Sequence, residues 1–165
     1  MAAANPNHVI LRTAWVYSPF GKNFARTMLS LAATRDEISV VCDQRGAPSN
    51  ALDVADGIFN VLRKLVARPD DAAIRGIFHM TGGGETNWAE FATAIFAASA
   101  TGNGPFSQVK AITSSAYPTA ARRPANSRLD NSRLARSHGI RLPHWRDSIP
   151  ETVSRILAND LQEMN

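Results

Sequence analysis

Hydrophobic positions fall into short runs and longer periodic stretches that alternate along the chain. The first run, His8-Val9-Ile10-Leu11, is rich in β-branched residues and too short for a helix, which predicts a buried strand. After the breakers Pro19 and Gly21, Asn23 can cap a helix that carries Phe24, Thr27, Met28 and Leu31 on one face and stops near Thr34. Ile38 to Cys42 reads as a second strand, followed by the turn-rich Asp43 to Ser49. Leu52, Ala55, Phe59, Leu62 and Val66 then recur along one helical face, widened by Val54, Ile58 and Leu65, and predict an amphipathic helix that ends before Pro69. Gly76 to Thr81 is a third strand, and Asn87-Trp88-Ala89-Glu90 opens a helix with the spacing of a capping box. Ser107 to Ile112 predicts a fourth strand, Leu129 to Ser137 a short helix closed by Gly139, and Ile149 to Met164 a terminal helix. No repeat or linker interrupts the series, and alternating strands and helices argue an α/β fold.

Composition narrows the class. The 165 residues, 44% of them apolar, suit one ordinary globular domain and exclude a disordered or collagenous chain. No apolar run approaches the ~18 to 20 residues of a membrane span, and the start lacks the pattern of a secretory signal, so the expectation is a cytoplasmic protein. Cys42 is the single cysteine, which removes internal disulfides and zinc fingers and fits a reducing compartment. The net charge of +4 is uneven: between Ala121 and Arg141 stand six arginines and one acid, Asp130, so that this stretch exceeds the charge of the whole chain. It lacks the interleaved aromatics of a nucleic-acid binder, and arginine's planar fork suits a phosphate or diphosphate instead. A solvated surface explains the same run equally well.

Four places have residues suited to chemistry. Thr81-Gly82-Gly83-Gly84-Glu85-Thr86 joins a strand to a helix, where backbone amides can hold phosphate, but it has neither the G-x-G-x-x-G spacing nor a P-loop Lys, which favours a tight turn before a capped helix. His79 alternates with Phe78 and Met80 and reads as structural; no G-x-S-x-G accompanies His138 or His144, so a hydrolase triad has no support. Trp15 and Tyr17 lie just past the C-terminal end of a strand, where open α/β sheets bind ligands, and serve either as an aromatic wall or as core. Finally, Arg122 to Leu129 crowds arginines, Asn126 and Ser127 into a proline-stiffened loop able to hold a diphosphate, or simply to turn the chain before a helix.

Together these segments carry a resemblance. Arg12 to Tyr17, Gly21 to Phe24, Thr27 to Leu29, Asp43 to Pro48, Phe78 to Gly82 with Gly84 to Trp88, and Arg123 to Leu129 resemble, in order and spacing, the C-terminal half of the dTDP-4-dehydrorhamnose reductases, a family of extended short-chain dehydrogenase/reductases. The resemblance implies the trailing part of a Rossmann-like doubly wound sheet plus a small α/β substrate-binding lobe. It places Val9 to Arg12, Ile77 to Met80 and the helix from Leu52 to Val66 with the nucleotide-binding sheet. The implied reaction is reduction of the 4-keto group of dTDP-4-dehydro-L-rhamnose by NADPH, giving dTDP-L-rhamnose. Trp15 is then expected at the sugar, with Asn23, Arg123, Asn126 and Arg128 on the substrate and Thr13 towards the cofactor. A dTDP-sugar is the expected partner, neither nucleic acid nor membrane is, and a homodimer and a Mg2+ ion are compatible with the resemblance.

The family's Gly-rich dinucleotide fingerprint and Tyr-x-x-x-Lys pair have no counterpart in the sequence, since Gly21 follows Tyr17 at the lysine position and Ala121 follows Tyr117. This chain alone is therefore expected to hold no catalytic residue, to bind no NADPH and to be inactive: a fragment, a mis-started frame or half of a split protein. The alternative is a non-catalytic regulatory module of the same superfamily, resembling the regulatory β subunit of methionine adenosyltransferase; the Arg-Thr-x-Trp-Val-Tyr segment and the Gly-Ala-Pro turn favour the reductase. A strand at Val9 with missing neighbours is expected to leave apolar edges open to self-association.

Overall fold

A computed structural model describes residue 5 and residues 7–117 and 123–163. Ala121 and Arg122 of the basic stretch and the expected helix end at Met164 lie outside the described residues. The strands are β1 (Val9–Arg12), β2 (Val16–Tyr17), β3 (Glu37–Val41), β4 (Arg45–Gly46), β5 (Ser49–Asn50), β6 (Gly76–His79), β7 (Thr86–Asn87) and β8 (Gln108–Ile112). The α-helices are α1 (Phe24–Ala32), α2 (Ala51–Ala67), α3 (Trp88–Thr101), α4 (Ser132–His138) and α5 (Ile149–Glu163).

Strands pair at long range. β1 runs parallel to β6, with Val9 opposite Gly76 and Arg12 opposite His79, and β3 runs parallel to β8. β2 pairs with β5 in parallel, and β4 with β7 antiparallel. Two apolar clusters result. The larger gathers Met28 and Leu29 of α1, Phe91, Ile95 and Phe96 of α3, Val153 and Ile156 of α5, and Ile38 and Val40 of β3. The smaller joins Phe78 and Met80 at β6 to Val61 of α2, Leu134 of α4 and Ile140.

The helix starts follow their caps. Asn23 Oδ1 accepts from the amides of Ala25 and Arg26, and Asn87 Oδ1 accepts from Glu90 N at 2.9 Å. Glu90 departs from the reciprocal capping box, because its carboxylate takes the Thr86 hydroxyl at 2.7 Å. α4 begins three residues later than its periodicity predicts: Asp130 accepts from Ser132 N and Oγ, and Asn131 is bonded across to Thr81, so both residues act before the helix.

α2 forms where expected but is turned. Phe59, Leu62 and Val66 of the predicted apolar face are 65%, 51% and 81% exposed, whereas Gly57 and Val61 are buried, with Val54 and Leu65 packed beside them. The reason is steric. A Cβ on Gly57 would stand 3.0 Å from Met80 Sδ and Leu142 Cδ2, so the glycine side is the one that can press against the sheet.

Candidate functional site

β1 and β6 are parallel, so their C-terminal ends open at one edge, and the segments leaving them supply Trp15 and the Thr81–Glu85 turn. Trp15 has φ +51°, a left-handed backbone that a bulky side chain rarely adopts. It is held there by three contacts. Its carbonyl accepts from Ser49 N at 3.0 Å, its Nε1 donates to Ser127 Oγ at 2.9 Å, and its ring stacks on Trp88 with centroids 3.6 Å apart and planes 10° from parallel. A Cβ on Gly46 would fall 2.3 Å from the Trp15 ring, so the Gly-Ala-Pro turn needs glycine to admit the indole.

The loop after Arg123 is laid along β4 like a further strand. Arg45 N donates to Ala125 O at 2.8 Å, and Ser127 N donates to Arg45 O at 2.9 Å. Asn126 Oδ1 accepts from both Arg128 N and Arg128 Nε, which fixes the guanidinium. Arg128 Nη1 then meets Glu85 Oε2 at 2.5 Å, and Arg45 Nη1 stands 3.6 Å from Glu85 Oε1. The hydrogen bond from Arg128, with the charge of Arg128 and Arg45 behind it, holds the Glu85 carboxyl below its ordinary value. These groups flank a cavity of about 310 Å³ lined by Ala47, Thr81–Glu85 and Arg128–Asn131.

The Gly-rich turn is already committed. Gly82 N donates to Ser49 Oγ and Gly83 N to Pro143 O, while a Cβ on Gly82 would sit 2.2 Å from Pro48 O. Gly84, at φ +79°, lies under His144, whose Nε2 would be 2.3 Å from an added Cβ. Close approach of loops accounts for the three glycines.

Of the residues singled out in sequence, Trp15, Asn126 and Arg128 meet around β4. Asn23 is engaged elsewhere: besides capping α1, its Nδ2 donates to the carbonyls of Ser18, Phe20 and Gly21. Arg123 is exposed at the head of the loop, and Thr13 is exposed beyond the end of β1. Tyr17 is buried, its hydroxyl donates to Trp145 O at 3.2 Å, and burial together with the charge of Asp53 pushes its phenol well above the usual value. The basic stretch is not one surface. Arg128 faces Glu85, Arg133 donates to Ile77 O of β6 and lies over the Phe78 ring, and Arg141 lines a different cavity. Sequence reasoning placed Glu85 and Arg45 in motifs but gave neither a site role, since their meeting depends on the β4–β7 pairing.

The geometry has known counterparts. A dTDP-4-dehydrorhamnose reductase of Sinorhizobium fredii is 46% identical over 157 residues, 95% of this chain and 53% of that protein; one of Salmonella typhimurium is 40% identical over 93% of this chain and 51% of its own. The chain thus spans about half the length of the curated relatives it matches. Among solved structures, a dTDP-4-dehydrorhamnose reductase of Clostridium acetobutylicum aligns with a TM-score of 0.79 at 35% identity, covering 94% of this chain and 51% of that one. One of Bacillus anthracis, in complex with NADP, aligns at 0.72 and 29% identity, covering 88% and 47%. A UDP-glucose-4-epimerase of Stenotrophomonas maltophila with bound NAD shares the Rossmann-like α/β fold at 0.72 and 16% identity. The model of the RmlD substrate binding domain matches residues 1–158, and with that match over nearly its whole length the chain belongs to the RmlD substrate-binding family.

Proposed function

We propose that this chain is the substrate-side half of an NADPH-dependent reductase that converts dTDP-4-dehydro-L-rhamnose to dTDP-L-rhamnose, and that by itself it binds the sugar nucleotide without reducing it. The observation that carries this reading is the Asn126–Arg128–Glu85–Arg45 cluster beside the stacked Trp15 and Trp88. A diphosphate is the natural competitor for the place Glu85 takes between two guanidinium groups, because charge-assisted, bidentate bonds suit phosphate oxygens as well as carboxylate. Arg123, exposed at the head of the same loop, is free to join it. Trp15, locked by Trp88, Ser127 and Ser49, gives the sugar a rigid aromatic boundary.

NADPH would supply a hydride when bound; that the Gly82 and Gly83 amides are already spent on Ser49 and Pro143 supports the reading that this chain by itself does not hold it. Tyr17 is no substitute for a proton donor, being buried and bonded to a backbone carbonyl. No group of three His, Cys, Asp or Glu side chains suited to a metal occurs among the described residues.

Calorimetry with thymidine diphosphate tests binding by the chain itself, and kinetics of a complete enzyme carrying this half test the roles. The expected result is binding that weakens in Arg128→Gln. Trp15→Ala is expected to lower kcat, since misalignment at the reacting carbon is costly, and Arg123→Ala to raise KM mainly. Unchanged kcat and KM in both variants, with lowered melting temperatures, would assign these residues to the scaffold.

A further inference from the structure

We infer that the concavity between the C-terminal part of α2 and the segment after α4 is a second anion site, which takes a small phosphate-bearing anion. It lies where β6 begins, because His138 Nε2 donates to Ile74 O at 3.1 Å, just before β6; the site proposed for the sugar nucleotide lies where β6 ends. The cavity has a volume of about 420 Å³. Arg63 and Lys64 reach it from α2 and Arg141 from the segment after Gly139, and no carboxylate is among its lining residues.

The three cations have no hydrogen-bond or ion-pair partner among the described residues. Arg45, Arg68, Arg128 and Arg155, by comparison, each find a carboxylate. The backbone brings them close. Gly139 turns the chain at φ +60°, and Lys64 Nζ lies 3.4 Å from the place a Cβ there would occupy. Like charges gathered in a concavity repel one another unless an anion joins them, and phosphate accepts from several such donors at once. His138 gives the cations no partner. It is fully buried and lines the same cavity, and with Nε2 donating to Ile74 its other ring nitrogen, Nδ1, is an acceptor without a partner. Hydrogen phosphate offers the negative charge the cations lack.

The probe is inorganic phosphate titrated against chloride at matched ionic strength, read from the amide resonances of Gly139 and Ile140. The expected result is a saturable shift in the wild-type chain, weakened at least about fivefold in Lys64→Gln/Arg141→Gln and retained in Arg128→Gln. Melting curves in chloride check that the double variant folds; if it does not, the exposed Arg63→Gln replaces it. A non-saturating shift, or equal binding by wild type and the cation variants, reduces the concavity to a solvated basic face and overturns the inference. Loss of the response in Arg128→Gln overturns it too, by placing phosphate at the other site, whereas failure of thymidine diphosphate to bind leaves it intact.

Discussion

His138 shows how one residue couples packing to pH. Its ring is fully buried and meets Phe78 edge-on with centroids 4.7 Å apart, and burial, with Lys64, Arg68 and Arg75 nearby, lowers its pKa from the ordinary 6.5. A base whose folded pKa is depressed favours the native state fully above its unfolded pKa, and that contribution is lost as pH falls through the folded value. The melting temperature in phosphate-free buffer should therefore decline as pH drops below about 6.5. His138→Gln should flatten that decline, and thermal melts between pH 8 and the onset of carboxylate titration measure it. Asp43, Glu85 and Asp130, whose carboxyls are held low chiefly by hydrogen bonds from Ser114, Arg128 and Ser132, lose their contributions at lower pH, so the two windows are separate. At this scale the sequence was partly legible. Asn23 and Asn87 announced their caps by type and position, whereas the structural use of His138 depends on a carbonyl 64 residues away.

Among the elements, α2 carries the sharpest test. Periodicity identified the helix and its length to within a residue at each end, but eight apolar positions spread over 54–66 permit more than one buried face. Gly57 decided between them, because close approach to Met80 and Leu142 is available only on its side. Val61→Ala should destabilise the chain by about 1–3 kcal/mol by opening the smaller cluster, whereas Phe59→Ser with Leu62→Ser should change stability by no more than about 0.5 kcal/mol per site. Chemical denaturation of both variants compares them; a larger loss in the serine variant would show the helix turned the other way. The two-residue strands β4, β5 and β7 were not legible at all. Each lies in a stretch read as a turn or cap, and each is a strand only because a distant segment pairs with it.

At the scale of the whole molecule, β1 is bonded to β6 on one side, and among the described residues no strand pairs with its other edge. The outward stripe of Phe59, Leu62 and Val66 adds exposed apolar surface. Surface of this kind drives association, so sedimentation velocity should find concentration-dependent dimers or larger species, weakened in the Phe59→Ser/Leu62→Ser variant. A monodisperse monomer with a high melting temperature would contradict it. What the sequence determined by itself was local or cumulative: strand and helix placement from periodicity, caps from side-chain chemistry, and the family from six motifs in register. The tertiary structure alone decided which helix face is buried, which arginines share a site, and that Glu85 stands between Arg45 and Arg128. The physical reason is range. Propensity and capping act over a few residues and are written in neighbouring letters, while charge pairing and close packing act between segments that only the completed fold brings together.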